Sequence, residues 1–297
     1  MSFKRILVPI DGSKLAERAL VPALALAAAM GAKLFFFRVA NPLSLNLDPK
    51  LYQRIIEMRQ EEAKRYLQSV QSRFSSATVD IETQVLVGRV ARSILEYAQE
   101  KEIDLIVMSS HGRSGVSRWI YGSMAEKVLR NAPCAKVIIH PQVITEPFSI
   151  KRILVPLDGS SIAEQALEPG LELAKAMSAE LIFLRVMTEP QILKQPGPGW
   201  PGLDAIMDAA EQEANSYLQG VDAAVGDSPV PTASQTATGL AGEVIIDIAD
   251  GQQVDLIVMC SHGRSGIERL VFGSVAEKVL HGANCVTLVI QGQAVSK

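Results

Sequence analysis

The stretch Lys4-Arg-Ile-Leu-Val-Pro-Ile-Asp-Gly-Ser13 returns later in the chain as Lys151-Arg-Ile-Leu-Val-Pro-Leu-Asp-Gly-Ser160. A second block, Ile103-Asp-Leu-Ile-Val-Met-Ser-Ser-His-Gly-Arg-Ser-Gly115, returns as Val254-Asp-Leu-Ile-Val-Met-Cys-Ser-His-Gly-Arg-Ser-Gly266. The two copies of the second block lie farther apart in the sequence than the two copies of the first block. The second copy therefore contains a net insertion between the blocks, which we expect in the turn-rich segment 195–202. A repeat of this length is a duplicated domain rather than a solenoid. We therefore expect two domains, residues 1–146 and 147–297.

Within each copy, short β-branched runs alternate with longer helical patterns. In the first copy we predict strands near 4–9, 33–39, 79–86, 104–109 and 135–139, with helices near 13–30, 49–72, 90–101 and 123–131 between them. In the second copy we predict strands near 152–157, 180–186, 230–236, 255–260 and 285–290. The continuous apolar strands are typical of a parallel sheet with helices on both faces. The pattern therefore predicts two α/β domains, each a doubly wound parallel sheet.

The composition is that of an ordinary globular protein, with 48% hydrophobic and 21% charged residues among 297. A formal charge of -3 and the lack of a basic stripe with interleaved aromatic residues argue against nucleic acid or a membrane as partner. The apolar run at the start, Ile6 to Ile10, is too short for a secretion signal, and the longest apolar stretch, Ala19 to Met30, is shorter than a membrane span. Three cysteines without metal-type spacing indicate reduced thiols and a cytoplasmic location.

Ligands of open α/β sheets bind beyond the carboxyl ends of the strands, where the winding reverses. The first strand ends just before Asp11, and the fourth runs into a long loop that holds Gly112, Gly115 and Gly122. Glycines let backbone N–H groups approach a ligand, and Ser123 opens a helix whose positive end attracts phosphate. Arginine adds charge-assisted hydrogen bonds to such a site. In the first copy this arginine is Arg113. The second copy has the corresponding residues at the same places in its strands and loop: Asp158, Gly263, Arg264, Gly266, Gly273 and Ser274.

Each of these features also has a purely structural interpretation. Ser123 and Ser274 each stand three residues before a glutamate, the pattern of a capping box that needs no ligand. Asp11 and Asp158 begin Asp-Gly-Ser turns. A loop-organising hydrogen bond is favoured over catalysis for the single histidines of the two loops, His111 and His262.

The repeated blocks, together with Gly-Ser-x-Ala-Glu-Lys-Val-Leu after each loop, resemble the universal stress protein family over both halves almost end to end. The resemblance implies two Rossmann-like domains with strand order 3-2-1-4-5, and binding of ATP, with Mg²⁺, through Gly-x2-Gly-x9-Gly followed by Ser or Thr. The second and third glycines correspond to Gly112 and Gly122, and to Gly263 and Gly273. At the first glycine position this chain has Ser109 and Cys260 instead, a departure from the family's pattern whose narrower range of backbone angles is expected to weaken binding. Other cofactor-binding residues implied are Pro9, Asp11, Val39, Met124, Pro156, Asp158, Val186 and Val275.

Two further expectations concern the relation between the copies. Glu268 stands where the first copy has Ser117, and a negative charge near phosphates predicts tighter binding at the first site. The resemblance also implies pairing of domains through the fifth strand, as a pseudo-dimer within one chain or as a homodimer.

Three functions remain open from the sequence. The first is a regulatory ATP-binding protein of the stress response that acts through nucleotide-dependent interaction with an unidentified protein partner, and not as an enzyme. The second is a slow ATPase or phosphotransferase, although the chain has no Walker-type Gly-Lys-Ser/Thr motif. The third is an interaction scaffold whose pockets bind no nucleotide.

Overall fold

The computed structural model describes residues 3–41, 48–74, 78–110, 122–143, 146–187, 203–226, 228–263 and 272–292. The chain divides into two compact units, residues 2–149 and residues 150–297, which we call domain 1 and domain 2. The expected insertion at 195–202 lies outside the described residues.

Domain 1 alternates strands and helices along its whole length. Its elements are β1 Arg5–Pro9, α1 Lys14–Glu17, α2 Leu20–Met30, β2 Lys33–Ala40, α3 Pro49–Arg73, β3 Ile81–Val87, α4 Val90–Glu100, β4 Leu105–Ser109, α5 Ser123–Asn131 and β5 Ala135–Ile139. All strand pairs are parallel, and the spatial order is β3-β2-β1-β4-β5. The winding therefore reverses between β1 and β4, which confirms the predicted fold.

Domain 2 repeats this arrangement element by element. It consists of β6 Arg152–Leu157, α6 Ser161–Glu164, α7 Leu167–Met177, β7 Glu180–Met187, α8 Leu203–Val225, β8 Thr232–Thr238, α9 Ala241–Gly251, β9 Leu256–Cys260, α10 Ser274–Gly282 and β10 Val286–Ile290. Its parallel sheet has the order β8-β7-β6-β9-β10. Within the parts of the chain that the structure describes, every helix falls short of what a membrane span requires.

The central strands explain why the sequence folds this way. Ile6, Leu7 and Val8 are each fully buried although successive side chains of a strand point to opposite faces. Helices therefore cover both faces of the sheet, and the continuous apolar runs of the sequence are the consequence.

The helix predicted over 13–30 is interrupted in the structure, so that prediction was wrong in one detail. α1 ends at Glu17 and α2 begins at Leu20, with Arg18 and Ala19 donating to carbonyls three residues back. Pro22 has no N–H to donate to the Arg18 carbonyl, so the α-helical hydrogen bonding cannot run through this point. Pro169 produces the same interruption between α6 and α7.

The third strand of domain 2 begins two residues later than predicted, at Thr232 instead of residue 230. Pro231 has no N–H for the strand ladder, and only its carbonyl is used, as acceptor for the Leu181 N–H.

Candidate functional site

Each domain has a pocket at the carboxyl ends of its central strands, at the reversal of the winding. The pocket of domain 1 has a volume of about 420 Å³, and the pocket of domain 2 about 490 Å³. In domain 1 the pocket is lined by seven of the predicted residues: Pro9, Asp11, Val39, Ser109, Gly122, Ser123 and Met124. In domain 2 it is lined by eight: Pro156, Asp158, Val186, Cys260, Gly263, Gly273, Ser274 and Val275. Gly112, Arg113, Gly115, Arg264 and Gly266 lie outside the described residues, as do His111, Ser117 and Glu268.

Asp11 and Asp158, which line the pockets, each form a tight turn. In each turn the Oδ1 atom accepts a hydrogen bond of 2.9 Å from the backbone N–H two residues on, at Ser13 and Ser160. The serine hydroxyls then cap the following helices. The turn interpretation of the sequence therefore holds, and the turn fixes each carboxylate where it also lines the pocket.

Gly263 shows how closely the loop after β9 approaches this carboxylate. A Cβ atom built on Gly263 would lie 2.2 Å from Oδ2 of Asp158, far inside van der Waals contact. By contrast, a Cβ atom on Gly273 would meet its nearest neighbour, the Ser261 carbonyl oxygen, at an ordinary 3.5 Å. Space within domain 2 therefore requires a glycine at 263 but does not by itself require one at 273.

The helices beyond the loops begin without a capping side chain, so the predicted capping boxes are wrong. The N-cap residues are Gly122 and Gly273, while Ser123 and Ser274 are the first helical residues. A hydroxyl one position past the N-cap cannot close the capping box. Among the described residues, the N–H groups of Ser123 and Met124 at the start of α5 therefore have no partner. Such a helix start carries partial positive charge directed at the pocket.

An arginine network beside each pocket was missed in the sequence. On β2, the Arg38 guanidinium lies against the turn, 3.2 Å from where a Cβ of Gly12 would stand. It also lies 4.5 Å from the ring centroid of Tyr66 and 3.8 Å from the Glu62 carboxylate. The Tyr66 hydroxyl donates to Glu17 at 2.7 Å.

Domain 2 contains a corresponding network, built by Arg185, Tyr217 and Glu164. The Arg185 guanidinium lies 3.3 Å from a Cβ position on Gly159 and 5.5 Å from the Tyr217 ring centroid. The Tyr217 hydroxyl donates to Glu164 at 3.0 Å. The repeat of Phe-Arg-Val39 as Leu-Arg-Val186 at the ends of the second strands was the available signal.

Burial controls the ionisation of several groups around the pockets. Burial and the hydrogen bond to Glu17 raise the pKa of Tyr66, so this hydroxyl is a donor at neutral pH. Burial raises the pKa of the Cys260 thiol to about 12, with a further contribution from the Asp158 charge. Cys260 is therefore a protonated lining residue rather than a nucleophile.

The linings of the two pockets differ at a few positions. Domain 1 has Arg59, whose Nη1 donates to the Asn41 carbonyl at 2.7 Å, where domain 2 has Ala210. Val90 of domain 1 is replaced by Ala241, and the larger volume of the second pocket agrees with both truncations. Among the residues that the structure describes, no cluster of three or more His, Cys, Asp or Glu side chains could hold a metal ion.

The comparisons with known proteins agree with the duplicated fold. The model of the universal stress protein family matches residues 2–140 and again residues 149–291, so the chain belongs to that family. Universal stress protein MJ0531 of Methanocaldococcus jannaschii is 32% identical over 142 residues, 48% of this chain and 82% of the relative. A universal stress protein of Mycolicibacterium smegmatis is 22% identical over 292 residues, 96% of each chain. The crystal structure of a universal stress protein from Archaeoglobus fulgidus has the same fold, with a TM-score of 0.72 over 98% of each chain at 21% identity.

Proposed function

We propose that this universal stress protein is a regulatory protein that binds ATP in both domains and presents a nucleotide-dependent surface to a protein partner in the stress response. The observation that supports it is the pair of equivalent pockets, each with a carboxylate on one side and an uncapped helix start on the other. Their volumes, about 420 and 490 Å³, fall within the range of small-molecule sites.

The described residues suit the chemical parts of a nucleotide. Apolar side chains such as Val90 and Ile94 line one wall of the first pocket and offer a surface for a base. The carboxylate of Asp11 is a hydrogen-bond acceptor for ribose hydroxyls. The N–H groups at the start of α5 would hold phosphate oxygens. The Mg²⁺ ion expected with ATP would be coordinated by phosphate oxygens and by a carboxylate such as Asp11.

Two observations favour a binding role over catalysis for the described part of the pockets. The Cys260 thiol stays protonated at neutral pH because it is buried. In addition, the Oδ1 atoms of Asp11 and Asp158 already accept the N–H groups of their turns. A carboxylate engaged in this way is better suited to positioning a ligand than to abstracting a proton.

The first experiment is to denature freshly purified protein, identify any released nucleotide by chromatography, and titrate the emptied protein with ATP and Mg²⁺ by calorimetry. We expect micromolar binding with two sites per chain. Steady hydrolysis during the titration would favour the slow ATPase. No released nucleotide and no heat of binding would favour the scaffold function and would contradict the proposal.

The two sites are distinguished by Gly122→Ala and Gly273→Ala, one in each domain. We expect each substitution to remove one of the two binding events, because a Cβ atom obstructs a phosphate that approaches the helix start. For Gly273→Ala the folded state should be unperturbed, since the added Cβ makes only ordinary contacts. The expectation that domain 1 binds more tightly fails if Gly273→Ala removes the stronger event.

A further inference from the structure

Domain 1 has a second cavity, separate from the proposed nucleotide pocket and sharing no lining residue with it. It has a volume of about 550 Å³ and lies beside α1, the start of α2 and the end of α3. Three basic side chains line it, Lys14, Arg18 and Arg73, together with the carboxylates of Glu17 and Glu146.

The charges of this cavity do not balance. Both carboxylate oxygens of Glu17 are engaged, one by the Tyr66 hydroxyl at 2.7 Å and one by Arg73 at 2.8 Å. Glu146 is exposed to solvent. Among the described residues, Lys14 and Arg18 have no carboxylate partner, which leaves the lining with a surplus of positive charge.

Arg18 is the most informative of the three basic residues. Its Nη2 donates to the Val143 carbonyl, while its Nε is buried and has no hydrogen-bond partner in the described part of the chain. A guanidinium that is partly removed from water without a counter-ion is unfavourable, and an anion would relieve that cost. The guanidinium also offers the donor geometry that oxyanions match best.

Domain 2 provides an internal comparison. At the equivalent positions it has Ser161, Gln165 and Ala224, so all three cations are replaced by neutral residues. Its glutamate and tyrosine, Glu164 and Tyr217, keep the hydrogen bond that their counterparts make in domain 1. This part of the fold therefore forms in domain 2 without the three cations. In domain 1 the pairing with Glu17 accounts for Arg73 alone, so Lys14 and Arg18 need another explanation.

We propose that Lys14, Arg18 and Arg73 form a binding site for a small tetrahedral oxyanion, such as a phosphate group, in domain 1 only. The oxyanion would enter the cavity, accept hydrogen bonds from the guanidinium groups and supply the counter-charge that Arg18 lacks. This site is independent of the proposed ATP pockets, and the failure of either proposal leaves the other untouched.

The test uses the full chain and follows the side-chain Nε–Hε resonances of arginine by NMR during titration with sodium phosphate. Sodium sulfate is a second probe of the same shape, and sodium chloride at matched ionic strength reports screening alone. We expect a saturable shift of the Arg18 resonance with phosphate and sulfate. An absent shift, or an equal shift with chloride, would overturn the proposal.

The variants take their residues from domain 2. We expect K14S/R18Q/R73A to weaken phosphate binding by at least about tenfold, read out by calorimetry with sodium phosphate on nucleotide-free protein, where any phosphate taken up by the proposed ATP pockets is the same in variant and parent. The control R92Q/K127S/R130A removes the same net charge from exposed positions on α4 and α5 and should bind phosphate as the parent chain does. Should the triple variant fold poorly, Lys14→Ser alone, at an exposed position, should still weaken binding about twofold to threefold. Unchanged affinity in the folded variants would contradict the site.

Discussion

The two domains build the same turn, arginine network and uncapped helix start, yet they line their pockets differently. Asp11 and Asp158, like Arg38 and Arg185, occupy the same places with nearly the same distances. Arg59, by contrast, has no charged counterpart, because Ala210 stands in its place. The shared features form a frame common to both domains, whereas the differing residues are those we expect to set how strongly each pocket binds the proposed ATP.

The largest effect is expected from the carboxylates of the frame. Asn at positions 11 and 158 keeps the Oδ1 acceptor of the turn and removes the charge. If the carboxylates bind ligand, Asp11→Asn and Asp158→Asn should each weaken ATP binding to its own domain about 10-fold to 100-fold, the value of a hydrogen bond to a charged group. Calorimetry on each single variant should then show one of the two binding events weakened by that factor and the other unchanged.

The control for these variants is their unfolding by urea, which should change little because the turn hydrogen bond is kept. If D11N/D158N binds ATP as the parent chain does, the aspartates are turn formers only, and the shared frame has no part in binding.

The next effect concerns the turn glycines, and it tests whether the frames are equivalent. Gly12 and Gly159 have φ of +88° and +80°, and a Cβ on either would press on a guanidinium at 3.2 or 3.3 Å. We expect Gly12→Ala and Gly159→Ala each to lower the free energy of unfolding by about 1–2 kcal/mol. Urea unfolding measures both.

Gly31 is the matched control for these glycines. Its φ is +59°, but a Cβ there would meet nothing within 4 Å. Gly31→Ala therefore reports the cost of a positive φ for alanine without a contact of the new Cβ to a guanidinium. It should lower the free energy of unfolding less than Gly12→Ala does. Equal losses would show that the guanidinium moves aside freely and does not brace the turn.

The sheet and the Asp-Gly-Ser turn of this frame follow from the sequence, because they rest on local rules applied twice. The repeated Lys-Arg-Ile-Leu-Val-Pro strand predicts the sheet, and the Asp-Gly-Ser turn places Asp11 at its carboxyl end. Pro22 was the local signal for the helix break, but the predicted helix over 13–30 did not use it, and the hydrogen bonding of the structure shows the break. These features depend on neighbours within a few residues.

The rest depends on contacts between distant parts of the chain. The Ser-x-x-Glu pattern predicts a capping box, but the path of the chain puts Gly122 at the N-cap, and no local pattern distinguishes the two registers. Arg38 meets Tyr66 and Gly12 only after β2 and α3 have packed together. The surplus charge of the second cavity likewise arises from residues 14, 18 and 73 meeting in space.

A smaller effect should separate the linings of the two pockets. Arg59→Ala should lower the ATP affinity of domain 1 by about threefold, and Ala210→Arg should raise that of domain 2 by a similar factor, the size of a partly screened charge interaction. Both differences in ATP affinity should become smaller in about 0.5 M salt, where charge interactions are strongly screened. A salt-independent change would indicate that Arg59 shapes the pocket through its bond to the Asn41 carbonyl instead.

The smallest effect concerns Arg73, where domain 2 has Ala224. Although burial acts to raise it, hydrogen bonds from Arg73 and Tyr66 hold the pKa of Glu17 below its ordinary value of 4.5. A carboxyl group whose pKa is lower in the folded than in the unfolded state stabilises the fold at pH values above its unfolded pKa. That contribution is lost as the pH falls through its folded pKa. Arg73→Ala should therefore cost domain 1 about 0.5 kcal/mol at neutral pH, and the deficit should fade below pH 4.5. Ala224→Arg, which offers Glu164 a second partner, should give a gain with the same pH dependence, measured by urea unfolding at a series of pH values. A deficit that persists in acid would mean that Arg73 acts by packing on Phe74, whose ring centroid lies 5.7 Å from its guanidinium, because that contact does not depend on Glu17 being ionised.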